Sequence, residues 1–469
     1  MSLVEADVVV IGAGPGGYAA AFMSADLGMK TLLIDKEKNP GGACLYRGCI
    51  PSKALLHAAK IVNEAREASH IGISFGQPQI DVQRLAEWKR EVVAQLTGGL
   101  GQLRKAREVQ HIQGTAKFID ANTLEVEGHD GQVKFKHAIL ATGSRPVVPG
   151  PLALDSRNVM TSREALELES IPQTLLVIGG GYIGLELGTV YAALGSKVTV
   201  VEMMDGLLPG ADRDLVKVLS KNVHSLMHEV LLKTRVVDMV ETMRGIKVTL
   251  DPEREEVFDK VLISVGRRPN TENIGLENTQ IELDSHGFVK TDAQGRTGES
   301  HIFAIGDISG QPMLAHRATH QGRLAAEVIH GSKAVFEPHA IPAVVFTDPE
   351  LAWAGITEAE AKEAGTPHKV ARFPWAASGR SLTLGRTDGL TKLILDPQTE
   401  RILGVGIVGP GAGELIAEGT LAIEMAATAE DLSLTIHAHP TLSETVMETA
   451  DVFFGNSTHL AGRRPSRKS

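Results

Sequence analysis

Two strand–glycine-turn–helix–strand units repeat at a fixed offset, and the last third has mixed strand and helix patterning without such a unit. Together these predict an α/β chain: two Rossmann-like dinucleotide-binding domains followed by an α+β C-terminal domain. A third observation adds chemistry to the fold. The only two cysteines among 469 residues stand five positions apart, shortly after the first unit. The expected domain boundaries are 1–146, 147–272, a central segment 273–341 that completes the first site, and 342–469.

The first unit is Val8-Val9-Val10-Ile11 running into Gly12-Ala13-Gly14-Pro15-Gly16-Gly17. The second is Leu176-Val177-Ile178 running into Gly179-Gly180-Gly181-Tyr182-Ile183-Gly184. The landmarks Gly12, Gly14 and Gly17 correspond to Gly179, Gly181 and Gly184, always 167 residues on. Each unit ends a second apolar strand (31–34 and 198–201) at a carboxylate, Asp35 or Glu202, 23 residues after its first glycine. The first glycine allows a tight turn, the second lets backbone approach a pyrophosphate, and the third lets helix and strand pack closely. The free N–H groups of the helix start face the phosphates, and the acid accepts from ribose hydroxyls. Glu202 repels a 2′-phosphate and no arginine follows it closely, so the second site favours NAD over NADP. The first, followed at once by the cysteines, suits a flavin dinucleotide.

Further along, 137–140 reads as a strand and Ala141-Thr142-Gly143-Ser144-Arg145-Pro146 as the turn that leaves the first domain. The segment 302–305 is a buried strand ending at Gly306-Asp307, where the acid is read equally as a ribityl or ribose ligand and as a helix cap. The basic tail 462–469 is expected to fray.

Composition bounds the function. A net charge of −10 disfavours a nucleic-acid partner, and no apolar run is long enough to span a bilayer. The N-terminus lacks the basic start of a signal peptide, and so few cysteines suit a reducing cytoplasm.

The cysteines lie in Gly41-Gly42-Ala43-Cys44-Leu45-Tyr46-Arg47-Gly48-Cys49-Ile50-Pro51-Ser52-Lys53. A bridge over so short a loop removes little chain entropy, so the pair reads as a dithiol that opens and closes in a reaction. In a regular helix residues five apart are separated by about 8.7 Å, beyond the reach of a disulfide, so a bridge needs a distorted turn that Gly48 can absorb. Two free buried thiols, or half a metal site, are the alternatives. Thiol chemistry needs a base. His437-Ala438-His439-Pro440-Thr441-Leu442-Ser443-Glu444 offers an imidazole with a carboxylate five residues on, though the same stretch reads equally as a polar surface loop.

These motifs, from Val8 to about Phe454, resemble the pyridine nucleotide–disulfide oxidoreductases, and within them the branch that oxidises protein-bound dihydrolipoyl groups. The resemblance implies FAD in the first domain, NAD in the second, no metal, and a homodimer formed by the C-terminal domain. It implies a lipoylated carrier protein or lipoyl domain as partner, since no lipoyl domain is fused here. Carried over by position, Cys44 is the thiol that meets the substrate and Cys49 the thiol beside the flavin. Lys53 pairs with Glu186, and His439, oriented by Glu444, is the base supplied by the other subunit. Asp35, Lys53, Gly114, Ala116, Asp307 and Ala315 match FAD contacts; Glu202, Val236 and Gly266 match the NAD side. Another NAD(P)H-dependent disulfide reductase of the family, or a silent FAD-binding subunit of an assembly, are the alternatives.

Two departures from the family pattern stand out. Tyr46-Arg47 replaces small or neutral residues, and a cation there is expected to favour thiolates and raise the dithiol's reduction potential. Ala318-Thr319-His320-Gln321 replaces a more acidic run.

Overall fold

In the computed structural model, which describes residues 2–251 and 254–461, the repeat becomes two parallel sheets. Strand β1 (Ser2–Ile11) pairs with β2 (Thr31–Asp35), Val8 opposite Thr31 and Ile11 opposite Ile34. In the second unit Thr174–Ile178 pairs with Lys197–Glu202, Leu175 opposite Val198 and Ile178 opposite Val201. Both partners of each pair have moved by the same 167 residues, so the sequence offset survives as strand register. Val8, Val9 and Val10 are fully buried, as a parallel strand covered on both faces requires.

The first sheet runs β3 (Gln110–Gln113), β2, β1, β6 (Gly131–Leu140), β5 (Thr123–Val126), β4 (Ala116–Asp120). Its last strand comes from far along the chain: Ile302–Ala304 pairs in parallel with β6, which brings Gly306 and Asp307 to the ends of β1 and β6. Helix α1 (Pro15–Asp26) has proline in its first turn and packs against Ala315–Ile329. The approach is close enough that a Cβ on Gly322 would lie 2.3 Å from the Gly16 carbonyl oxygen.

The second parallel sheet is covered by three antiparallel strands, Arg235–Thr242, Gly245–Asp251 and Arg254–Phe258, which bury Ile246, Val248 and Leu250 against it. The C-terminal part is a five-stranded antiparallel sheet ordered Ala343–Val345, Glu350–Gly355, Ile402–Gly409, Leu390–Leu395, Lys369–Pro374. Helices Ala412–Glu424 and Glu444–Phe454 pack on it, giving the α+β layer. Among the described residues no helix is long and apolar enough to cross a membrane. The basic tail 462–469 lies outside the described residues.

A buried charge cluster joins the second parallel domain to this layer. Lys392, 1% exposed, places Nζ 2.8 Å from Asp212, 3.1 Å from Asp214 and 2.8 Å from Glu358, and Arg372 bonds both Asp214 and Glu358. Burial opposes ionisation of Glu358, but Lys362, Lys392 and Arg372 outweigh it and hold the carboxyl down at about 2. Lys392→Met leaves buried carboxylates short of a cation, and we expect it to lower unfolding stability by about 3–5 kcal/mol in urea titrations. Because Glu358 is depressed in the folded state, its contribution is present above about pH 4.5 and is lost as pH falls toward 2. The difference between the parent protein and Lys392→Met should narrow over that window.

Candidate active site

The glycine turns work alike in both units. Gly12 (φ +98°) and Gly179 (φ +108°) sit against carbonyls: an added Cβ would lie 2.3 Å from the Ala141 oxygen and 2.6 Å from the Ser264 oxygen. A Cβ on Gly17 would lie 1.8 Å from the Gly12 oxygen, and one on Gly184 2.2 Å from the Gly179 oxygen, so the third glycines admit the helix to the turn. Gly181 has open space above it, and Gly14 meets only Gly42 Cα at 3.9 Å. Neither helix start carries a side-chain cap, so its N–H groups are free for an anion.

The strand-end acids do more than wait for a ribose. Asp35 accepts from the Ala13 N–H (2.7 Å) and the Glu37 N–H (2.8 Å). Glu202 accepts from Gly180 N–H (2.7 Å) and Met204 N–H (2.8 Å), the same two positions one repeat later. Each carboxylate therefore latches its own glycine turn and keeps lone pairs for a ligand. Burial pushes the Asp35 carboxyl up, against the Ala13 hydrogen bond.

A cavity of about 780 Å³ opens between the units. Gly12, Gly14, Asp35, Gly114, Ala116, Asp307 and Ala315 line it from the first domain, and Tyr182 and Glu186 from the second. It also receives Cys44, Cys49 and Lys53. Asp307 is not a helix cap: its Oδ2 accepts from Ser144 Oγ at 2.5 Å, and Ser144 accepts from Arg267 Nε at 2.8 Å. Gln321 Oε1 accepts from Gly306 N–H at 2.8 Å and steadies that turn, so the Thr319–Gln321 departure keeps an acceptor without a charge. A flavin adenine dinucleotide fits this lining: uncapped helix N–H groups for the pyrophosphate, Asp35 for a ribose, and Asp307 for a polyol chain. On the second side Glu202, Gly179, Gly181 and Gly266 (φ +137°) surround the other turn, whereas Val236 is buried among Leu176, Val201 and Ile263.

The dithiol sits on a helix broken in two. Helix α2 (Gly42–Arg47) stops at Gly48 (φ −148°, ψ −114°), and α3 (Cys49–Glu67) begins at the second cysteine. The break brings the two thiols close enough to influence each other's ionisation, so that Cys49 gives up its proton more readily and Cys44 holds its own. Both are free thiols here, and Cys49 is exposed to the cavity. The neighbouring Cys44 thiol and the ammonium of Lys53, one helical turn on, outweigh burial and bring Cys49 down to about 7, while holding its proton pushes Cys44 up. Lys53 is paired 2.8 Å from Glu186. Glu186 is 3% exposed and also accepts from Ser52 Oγ (2.9 Å) and Phe346 N–H (3.1 Å). Burial, with a smaller contribution from thiolate charge at Cys44 and Cys49, pushes the Tyr18 phenol of α1 up.

Arg47 does not serve the thiols. Its guanidinium bonds Glu37, and the cation beside the cysteines is Lys53, which corrects the expectation that Arg47 favours thiolates. A side chain at the end of α2 points back along the helix toward β2, a direction that spacing alone does not reveal.

The candidate base lies elsewhere on this chain. His439, whose side chain is 75% exposed, has Nδ1 2.9 Å from Glu444 Oε1, and Glu444 Oε2 accepts from Thr441 N–H at 2.8 Å. Burial opposes ionisation of Glu444, but Thr441 and His439 outweigh it and hold the carboxyl below its usual value. His437 instead has a nearly buried side chain, bonded to Glu418 at 2.6 Å. No residue of 437–444 lines the cavity. Ser144, Gln321, Glu37 and Tyr182 were missed as site residues. Ser144 in its turn, Gln321 in the 318–321 departure and Tyr182 inside a glycine turn each carried a sequence signal, and Glu37 carried none; the Tyr182 phenol is pushed up to about 12, chiefly by burial.

The family model for pyridine nucleotide-disulphide oxidoreductases matches residues 6–322, and that for their dimerisation domain matches 341–450. The chain is similar to the dihydrolipoyl dehydrogenase of Vibrio cholerae, 48% identical over 99% of each chain. It is 44% identical to dihydrolipoyl dehydrogenase 2 of Haloarcula marismortui, over 97% of this chain and 98% of that one. Among solved structures, LpdA from Mycobacterium tuberculosis superposes with a TM-score of 0.88 at 26% identity, covering 96% of this chain and 99% of that one. The HOCl-induced flavoprotein disulfide reductase RclA from Escherichia coli superposes with a TM-score of 0.84 at 28% identity, covering 94% and 98%.

Alkylation of the reduced protein checks the thiol electrostatics. Cys49 should react with a pH midpoint near 7, and Cys44→Ala, which removes that neighbour, should raise it toward the ordinary value of 9.0. Lys53→Met should raise it too. Unchanged midpoints in both variants would remove the stated cause.

Proposed function

The chain belongs to the pyridine nucleotide-disulphide oxidoreductases, and on that premise we propose that it oxidises protein-bound dihydrolipoyl groups to the cyclic disulfide and reduces NAD⁺. The observation that carries this reading is the helix break at Gly48, which sets Cys44 and Cys49 together on the wall of a cavity that both dinucleotide units share. Full-length relatives named dihydrolipoyl dehydrogenase support the choice of substrate.

The chemistry starts from the oxidised Cys44–Cys49 bridge. His439 accepts a proton from one thiol of the dihydrolipoyl arm, with Glu444 orienting Nδ1 and stabilising the imidazolium. The substrate thiolate attacks Cys44, and the sulfur–sulfur bond breaks toward Cys49. Cys49 is the better leaving group, since Lys53 and the start of α3 favour its thiolate. The second substrate thiol loses its proton and displaces Cys44, which releases lipoyl disulfide and leaves the dithiol reduced by two electrons. FAD, which Asp35, Asp307 and the uncapped start of α1 would hold, would supply the two-electron chemistry that links the dithiol to NAD⁺. Glu186 fixes Lys53 in place throughout.

His439 cannot act on its own chain's dithiol from where it stands, which supports a homodimer in which it reaches the other subunit's Cys44. Ile436, 95% exposed, and Leu434, 73% exposed, flank it as an apolar surface that such a contact would cover. A cytoplasmic location and a lipoylated carrier as partner complete the reading.

The experiment is direct: NADH formation from NAD⁺ and dihydrolipoamide. His439→Gln should lower kcat/KM by about 10²–10⁴ with the protein still dimeric and folded. Failure of the parent protein to reduce NAD⁺ with dihydrolipoamide would overturn the substrate assignment.

A further inference from the structure

Two of the four residues between the cysteines, Tyr46 and Arg47, have no role in the thiol chemistry, yet both reach the same place. The Tyr46 hydroxyl donates to the Asn39 carbonyl oxygen at 3.0 Å, and its ring lies 3.0 Å from where a Cβ of Gly41 would stand. The Arg47 guanidinium bonds Glu37 Oε1 and rests 5.8 Å from the centroid of the Tyr46 ring. Asn39, Gly41 and Glu37 all belong to the segment 36–41, which connects β2 to α2.

That segment is tied at its ends by backbone hydrogen bonds, and its Asn39 packs against Gly101 of the helix Val82–Ala106. Asp35 is tied to Ala13 and to the Glu37 N–H, and Gly41 N–H donates to the Ala13 carbonyl at 2.8 Å. Between those ties, Tyr46 and Arg47 fasten its middle to α2. The fastening is charged and half-buried: the Arg47 and Glu37 side chains are 22% and 27% exposed. Both line the cavity beside Asp35, on the side of the ribose acid rather than of Lys53 and Glu186. Arg163, which also lines the cavity, crowds Arg47, while Asp35 and Glu167 attract it, so Glu37 is the anion that takes the guanidinium directly.

We propose that Glu37 and Arg47 are positioning residues for the cofactor, a clasp that closes the cavity wall over the adenosine half of FAD and sets how fast the flavin leaves. A neutral pair would loosen the Glu37 end of 36–41, beside Asp35, while Tyr46 still holds Asn39. The inference rests on FAD occupying this cavity and is independent of the lipoyl substrate.

FAD release from the holoprotein, followed by the fluorescence of freed flavin after dilution, tests it. Glu37→Gln and Arg47→Gln should each release FAD about tenfold faster, the scale of one charge-assisted hydrogen bond in a half-exposed site. The charge-swapped double variant, Glu37→Arg with Arg47→Glu, should return the rate toward that of the parent. The Cys49 alkylation midpoint should stay put in all of them, because Lys53 and not Arg47 faces the sulfurs. Equal release rates across the panel, or a swap as fast as the single variants, would overturn the clasp. A shifted alkylation midpoint with unchanged release would hand Arg47 back to the thiols. If the glutamine variants do not fold, the parent protein still decides: release should accelerate several-fold as salt is raised from low to high concentration, because the pair is only half-buried, and a salt-independent rate would overturn the proposal. A parent protein that binds no flavin at all would overturn the reading of the cavity itself.

Discussion

Everything at this site hangs from a carboxylate that holds its own glycine turn. Asp35 at the end of β2 takes the Ala13 N–H, and Glu202 takes Gly180 N–H one repeat later. A positive-φ glycine turn is conformationally loose by composition, and a fixed acceptor across the strand ends removes that freedom. The turn then presents its uncapped helix start in one orientation, and the same acid keeps lone pairs for a ribose. One hydrogen bond thus couples the geometry of the phosphate site to that of the sugar site.

The dithiol inherits its position from the same turn. Gly42 (φ +57°) packs on Gly14, so close that a Cβ would lie 2.4 Å from the Gly14 Cα, and α2 starts there. The break at Gly48 interrupts a helical spacing too long for a bridge and brings the two thiols together. It also starts α3 at Cys49, where the helix dipole and Lys53 both favour a thiolate. Lys53 in turn depends on Glu186, a buried anion from the second unit satisfied by Ser52, Phe346 and Lys53 together. Removing Lys53 or Glu186 leaves the other charge without compensation, so the two domains are electrostatically committed to each other at the dithiol.

The C-terminal layer is bound in by a second such commitment, Lys392 among Asp212, Asp214 and Glu358, and its candidate base, His439, faces outward. His439 is oriented by Glu444 but turned away from the sulfurs of its own chain. Stability and reactivity are therefore divided: the layer is anchored by buried charge and presents its imidazole on an apolar, exposed rim.

The sequence by itself determined the two dinucleotide units. A 167-residue offset between glycine turns requires only that the second unit repeat whatever register the first adopts, which the strand pairs then show. It also determined the cysteine pair, the need for a distortion at Gly48, and the His439–Glu444 pairing, because these depend on residues near one another in the chain. Only the tertiary structure decided what long-range packing controls. Ser144 meets Asp307 across 163 positions and Gln321 secures Gly306, whereas the Lys53–Glu186 pair, which the family resemblance already implied, meets across 133. The same holds for Arg47. Its charge was plain in the sequence, but whether a long side chain reaches forward to the thiols or back to Glu37 is set by helix direction and by where β2 ends.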